Sequence, residues 1–437
     1  MSEILAARVL VVGGGPAGLA AATRAAEAGD DVLVLDENAW SGGQIWRHRR
    51  PEEIPRRARR WIERFSKSGA RLIRGAEVTL ASSSRRLVAE LSATPGRTLE
   101  VEGEILILAT GARERFLPFP GWTLPNVVGV GAAQALAKSG VSFRDRQVVL
   151  AGSGPLLLPA AASLSRGGAR VAVVAEQAPP AAVVRFALGL CARPGRLFQA
   201  ARLRAKFLKT RYCPGVWVSS ARGDDRVREV VLTNGQRSWN EPCDLLCCGY
   251  GLVPSLELPL LLGCAVERGR VTVGELLETS RAGIFCAGEL TGVGGVELAL
   301  VEGEIAGLAA AGRLDEARHL LPRRAKLLAF ARSLEKAFAL REELKSLPLA
   351  ETLVCRCEDV PFSRFDPAWS RRQAKLYTRA GMGPCQGKVC GPALEFLFGW
   401  EADSVRLPLR PTRLSNFLEG IQGENRNREN QERAMSR

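Results

Sequence analysis

The stretch ValValGlyGlyGlyProAlaGlyLeu (11–19) decides the fold. Its glycines at 13, 15 and 18 follow the apolar run ArgValLeuValVal (8–12) and precede an Ala-rich stretch (19–28) and the strand-like ValLeuValLeu (32–35). This is a βαβ opening with G-x-G-x-x-G spacing. Gly13 permits a tight turn, Gly15 lets the backbone approach a pyrophosphate, and Gly18 lets the helix pack closely on the strand. The helix start, with Pro16 and Ala17 in its first turn, offers unpaired N–H groups and about half a positive charge to phosphates. Asp36 ends the next strand, where an acid bonds ribose hydroxyls, and Glu37 follows it.

The same grammar recurs further along. GlnValValLeuAlaGly (147–152), a Leu/Ala-rich helix near 155–166 and ArgValAlaValVal (170–174) form a second unit. Its loop has Gly152 and Gly154, but Leu157 stands where the third glycine belongs, and Glu176 ends the following strand. The close helix approach is compromised, although a phosphate can still meet the turn. NAD, another adenine nucleotide and an empty relic all stay open for this second site. Short β-rich runs between 211 and 248, broken by AspAsp (224–225) and AsnGly (234–235), predict antiparallel strands and hairpins. The strand IlePheCysAlaGly (284–288) and a helix from about 295 to 311 then return the chain to the first fold. Residues 312–347 read as charged, Leu/Ala-rich helices.

ValCysArgCysGluAsp (354–359) and GlyProCysGlnGlyLysValCysGly (383–391) place Cys355, Cys357, Cys385 and Cys390 in one short segment as C-x-C and C-x4-C. Four thiolates at such spacing suit iron-sulfur or zinc. A two-iron cluster shared by sequence neighbours would have Cys355 and Cys357 on one iron, Cys385 and Cys390 on the other. Gly381, Gly383, Gly387 and Gly391 suit a loop that wraps sulfur closely. Cys191, Cys213, Cys243, Cys247, Cys248, Cys264 and Cys286 lie mostly in apolar runs and are read as core packing.

The composition bounds the class. At 437 residues the chain has room for roughly three domains. Hydrophobic residues at 46% and charged residues at 24% exclude wholesale disorder, and no apolar run reaches the length of about 18 residues that spans a bilayer. The opening residues lack the pattern of a signal peptide, so a cytoplasmic protein is expected, with peripheral attachment to the inner membrane as a further expectation. An odd count of 11 cysteines in a reducing compartment argues against a disulfide framework. The net charge of +15 is densest between Arg47 and Arg64, as a solvated face or a surface for an acidic partner. No nucleic-acid motif accompanies it. His48 and His319 are the only histidines, which excludes a His-rich metal site. His48 is read as an exposed member of the basic run rather than a flavin contact.

AlaThrGlyAla (109–112) after an apolar strand, and GlyGluLeuThrGlyValGlyGly (288–295) before a helix, resemble the two-dinucleotide-domain flavoproteins that include glutathione and thioredoxin reductases. The resemblance implies FAD in the first fold, with Glu289 on the ribityl chain and the helix after Gly294 and Gly295 aimed at the flavin. SerGlyGlyGln (41–44) stands where one branch of that family carries its redox cysteines, and the second domain lacks a CxxC, so dithiol exchange is not expected. The cysteine segment, with LysLeuTyrThrArgAlaGlyMetGlyProCysGlnGlyLysValCysGly (375–391), is similar to the bacterioferritin-associated-ferredoxin-type (BFD-like) 2Fe-2S domain. Taken with SerGlyGlyGlnIle (41–45), AlaThrGlyAlaArgGluArg (109–115) and AlaGlySerGlyPro (151–155), the chain resembles the FAD subunits of hydrogen cyanide synthase, opine oxidase and hydroxyproline dehydrogenase complexes.

That resemblance implies an α/β fold with two Rossmann-like domains and a small helical C-terminal 2Fe-2S domain. The expected divisions are 1–115 and 243–315 for the FAD domain, 116–242 for the second nucleotide domain, 316–349 for a helical linker and 350–400 for the cluster domain. A C-terminal extension, 401–437, is expected to be disordered from about 419. Cofactor-holding residues would be Gly13, Gly15, Pro16, Ala17, Gly18, Asp36, Glu37, Gly43, Gln44, Val78, Thr110, Gly111, Gly288, Glu289, Gly294 and Gly295. The implied partners, in a hetero-oligomer, are a flavoprotein that oxidises the amine and a small 2Fe-2S protein. The implied role is relaying electrons from that flavoprotein to an acceptor. A self-contained NADH-dependent reductase and a redox-responsive docking module are the competing readings, and no catalytic acid or base can be named.

Overall fold

A computed structural model describes residues 4–48, 51–83, 85–94, 96–190, 210–402 and 404–417. Cys191 and the segment expected to be disordered from about 419 lie outside the described residues. The chain divides into two compact units, 1–112 with 254–329 and 403–437, and 113–253 with 330–402.

In the first unit a sheet runs in the order Arg71–Arg74, Val32–Asp36, Ile4–Val12, Thr98–Leu108, Arg86–Leu91, Ala76–Ala81. Ile4–Val12 is parallel to both neighbours. Thr98–Leu108 is long enough to serve two partners along one edge. Its first half pairs antiparallel with Arg86–Leu91, and residues 106–108 pair parallel with Ile284–Cys286. The chain therefore brings a segment from near residue 285 back beside the first strand's neighbour. Strand Val32–Asp36 is buried throughout, as expected of a parallel strand covered on both faces. Helices Pro16–Glu27 and Val296–Ala310 pack against each other, and small residues make the approach possible. A Cβ on Gly303 would stand 2.1 Å from Ala17 O, and one on Gly307 2.2 Å from Ala21 O.

The second unit has a five-stranded parallel sheet, ordered Arg211–Pro214, Arg170–Glu176, Gln147–Gly152, Leu245–Gly249, Val127–Gly129. A three-stranded antiparallel sheet comprises Trp217–Arg222, Glu229–Thr233 and Ser238–Pro242. Residues 353–398 add a short hairpin, Leu353–Cys355 with Val360–Pro361, and helices Arg371–Thr378 and Cys390–Phe398. Their own small core gathers Val354, Phe365, Ala374, Leu394 and Trp400 around the buried Cys355 and Cys390. The Trp122 indole N–H donates to Leu353 O at 2.6 Å, tethering that hairpin within the unit. Of the seven other cysteines, Cys243, Cys247, Cys248, Cys264 and Cys286 are buried and Cys213 is half-buried. No helix among the described residues is long and apolar enough to cross a membrane.

Candidate functional site

The first glycine loop is built by contacts that allow no side chain. Gly13 turns at φ +107°, and a Cβ there would lie 2.3 Å from Ala109 O; one on Gly18 would lie 1.7 Å from Gly13 O. Gly15 differs. It has φ −72°, caps the helix Pro16–Glu27 without any side-chain bond, and a Cβ on it would meet no atom within 4 Å. The loop is thus closed everywhere except at the helix N-terminus, where a phosphate would sit. Gly43 packs against the same place, its Cβ position 3.1 Å from Gly15 Cα, and Gly42 N donates to Gly14 O at 2.8 Å.

Of the two acids at the end of the second strand, Asp36 is the buried one and Glu37 the exposed one. Asp36 is buried and accepts from the N and Nδ2 of Asn38 at 3.1 and 3.0 Å, and burial pushes its carboxyl up from the ordinary range. A Cβ on Gly14 would lie 2.3 Å from Asp36 Oδ2, which is buried with no hydrogen-bond partner. Glu37 is the exposed one, paired with Arg410 at 3.3 Å, and Arg410 also bonds Glu77 at 2.9 Å. Gln44 donates to Asn38 Oδ1 at 3.2 Å. Val78 is half-buried on the strand Ala76–Ala81. Thr110 Oγ1 donates to Ser255 O at 3.2 Å, and Gly111 O accepts from Ser255 N at 3.0 Å. His48 is half-buried rather than exposed, its Nδ1 2.8 Å from Trp46 O.

Glu289 carries the clearest sign of a missing partner. Its Oε1 accepts from Gly295 N at 3.1 Å, whereas Oε2 is buried with no hydrogen-bond partner. Burial pushes its pKa up to about 7, against the pull of the Gly295 and Gly294 N–H groups. A buried acceptor without a donor is costly, and a ribityl hydroxyl supplies such a donor. Gly295, at φ +79°, caps the helix Val296–Ala310 without a side-chain bond, leaving that helix start open too. A Cβ on Gly294 would clash with Leu298 Cδ2 at 2.2 Å, and one on Gly288 would lie 2.8 Å from Ala17 Cβ.

Glu302 and Arg324 escaped the sequence reading. Glu302 is fully buried and accepts from Gly288 N at 3.0 Å, Thr291 Oγ1 at 2.6 Å and Arg324 Nε at 2.9 Å. It therefore fixes the turn that presents Glu289. The G-x-x-x-G of Gly303 and Gly307 was the available signal that this helix is a close-packed one. Glu302→Ala leaves a largely buried guanidinium unpaired, which costs about 3 kcal/mol or more; thermal unfolding should show a clear fall in midpoint, with FAD content falling alongside.

In the second loop Gly152 and Gly154 take φ +153° and +98°. The Glu176 carboxylate is buried against its own loop, accepting from Gly154 N at 2.7 Å and Ala178 N at 2.8 Å.

The four cysteines of the C-terminal segment meet in two thiol pairs. The Cys355 sulfur accepts a hydrogen bond from Cys390, and Cys357 pairs with Cys385. The Cys390 thiol, together with backbone N–H groups of Gly381, Glu358 and Cys357, holds Cys355 down to about 5 despite burial, and Cys390 is raised in return. A Cβ on Gly383 would lie 2.4 Å from Cys357 Cβ, and Gly381 and Gly387 pack backbone to backbone. Among the described residues, no three His, Cys, Asp or Glu side chains converge closely enough to enclose a metal ion. The donor set, the aimed N–H groups and the glycine cradle nonetheless fit a thiolate-held cluster.

Comparison with known proteins agrees with this frame. Over 425 residues the chain is 32% identical to hydrogen cyanide synthase subunit HcnB of Pseudomonas aeruginosa, covering 88% of this chain and 90% of that protein. It is 31% identical to an opine oxidase subunit of Rhizobium meliloti, covering 94% and 87%. The fold matches L-proline dehydrogenase from P. horikoshii with a TM-score of 0.64 at 17% identity, over 95% of this chain and 80% of that one. Residues 7–312 match the family described as pyridine nucleotide-disulphide oxidoreductase, across both glycine loops, which supports FAD and a nicotinamide nucleotide as the ligands the two folds serve. The chain belongs to that family, and it is an FAD-dependent oxidoreductase.

Proposed function

We propose that this chain is the electron-transferring subunit of an amino-acid or opine-type dehydrogenase complex, with FAD in the first unit and a 2Fe-2S cluster on Cys355, Cys357, Cys385 and Cys390. Substrate oxidation would take place on an amine-oxidising flavoprotein partner, and a small 2Fe-2S protein would be a further member of the assembly. The observation that carries the reading is the gathering of Cys355 and Cys390 in one small core, with Gly383 packed against Cys357, in a chain that also holds the orphaned acid Glu289. When bound, FAD takes two electrons together and a 2Fe-2S centre passes them singly, so a chain holding both converts one mode to the other.

The chain's own residues bind and orient. The N–H groups at the Gly15 helix start would receive the pyrophosphate, Glu289 would hold a ribityl hydroxyl, and the open start of Val296–Ala310 would favour negative charge on the flavin. Cys355, Cys357, Cys385 and Cys390 would be the four thiolate ligands that hold the cluster. We assign the complex to the cytoplasm, with peripheral attachment to the inner membrane compatible with the basic surface.

The test is to purify the chain without oxygen and offer it secondary amino acids and opines with a one-electron dye. Bound flavin, iron and acid-labile sulfide with negligible turnover are expected. Full turnover by the isolated chain would overturn the partner-fed reading. Fast flavin bleaching by NADH would instead favour the self-contained reductase, the reading that the family's pyridine-nucleotide fold keeps alive.

A further inference from the structure

The second glycine loop already has an occupant, and it comes from the same unit. Ser153, between the two glycines, donates its Oγ proton to Phe338 O at 2.7 Å. Gln177, directly after Glu176, uses both ends of its amide. Nε2 donates to Ser153 Oγ at 2.8 Å and to Ala339 O at 3.0 Å, and Oε1 accepts from Arg341 N at 3.2 Å. Ser153 and Gln177 are buried. The flanks are anchored as well, because the Phe338 ring meets Phe186 edge-on at 5.3 Å and the Arg341 guanidinium lies 4.5 Å from the Trp217 ring.

These contacts fall where a dinucleotide must approach. The second glycine of such a loop exists so that a pyrophosphate can reach the backbone. At Gly154 the space a Cβ would occupy is 4.0 Å from Phe338 Cβ. The ribose-type acid, Glu176, directs its two oxygens to Gly154 N and Ala178 N and is 1% exposed.

We propose that residues 338–341 are a built-in plug of the second nucleotide site. An ADP-type ligand enters only when this segment withdraws, and its apparent affinity is lowered by the small fraction of molecules in which the plug is open. The plug lies in the chain just before the cysteine segment, so nucleotide entry and release of that linker are one linked equilibrium. This inference stands on the loop geometry alone and does not require the partner-fed reading to hold.

The experiment uses FAD-loaded full-length protein. ADP affinity is measured by calorimetry and NADH-driven flavin bleaching is followed without oxygen, in the wild type and in Gln177→Ala/Phe338→Ala. The opened variant should bind ADP at least tenfold more tightly than the wild type. Equal affinity in the two, or no binding by either, overturns the plug. If the double variant does not retain FAD, Ser153→Ala decides, since it removes one bond to the plug and should still gain ADP affinity; no gain overturns the proposal. The rate of bleaching reports separately on whether a nucleotide that enters can reduce the flavin, so failure of the plug and failure of the partner-fed reading give different results.

Discussion

Cys390→Ser is expected to remove at least nine-tenths of the iron and acid-labile sulfide from the protein while the flavin stays bound. Cys390 is the first residue of the helix Cys390–Phe398 and is buried in the small core with Cys355, the sulfur it contacts. A serine there offers a hard, protonated oxygen in place of a soft thiolate. It also buries a hydroxyl, at about 1–3 kcal/mol if that hydroxyl finds no partner. The proposed flavin site is made of other residues, Gly13 to Gly18 and Gly288 to Gly295, all in the first unit, so flavin content gives an internal control. Cys264→Ser is the matching control for thiol loss. Cys264 is buried in the first unit, where its sulfur contacts Thr279 Oγ1 at 3.6 Å, and iron should be unchanged. Equal iron in Cys390→Ser and wild type would end the cluster assignment, whatever the flavin does.

Much of the frame was legible because its signals are local. Glycines at 13, 15 and 18, next to a strand and a helix, state the turn, the phosphate approach and the packing in a single run of residues. The parallel sheets follow from apolar strands alternating with helical stretches. What could not be read depends on partners far apart in sequence. Glu302 reads as an ordinary helical acid until Arg324 and Thr291 close on it. The thiol contacts are likewise tertiary, since C-x-C spacing brings Cys355 and Cys357 near each other in sequence without deciding which sulfur each will face. The plugged second loop is the extreme case. Leu157 in place of the third glycine weakens the motif locally, but its occupant lies 185 residues beyond Ser153.

Gly15→Ala should abolish tight FAD retention, weakening it by at least a hundredfold, while leaving the apoprotein as stable as the wild type or slightly more so. The two halves of this expectation have separate causes. At φ −72° and ψ −176° the backbone of Gly15 is one that alanine adopts freely, and no protein atom lies within 4 Å of the added methyl. Replacing glycine at such a position restricts the unfolded chain and stabilises by about 0.4–1 kcal/mol. On the proposed FAD site a pyrophosphate would meet the N–H groups at the start of Pro16–Glu27 here, so a methyl would hold the phosphates off. Gly18→Ala supplies the contrast, because its methyl would lie 1.7 Å from Gly13 O. That variant must lose both flavin and thermal stability, since the helix has to move off the strand. Thermal scans of the two apoproteins, with absorbance at the flavin band after desalting, separate the cases. A Gly15→Ala protein that stays fully yellow would mean that the pyrophosphate does not sit at this helix start, and with it would go the role of the loop from which the fold was read.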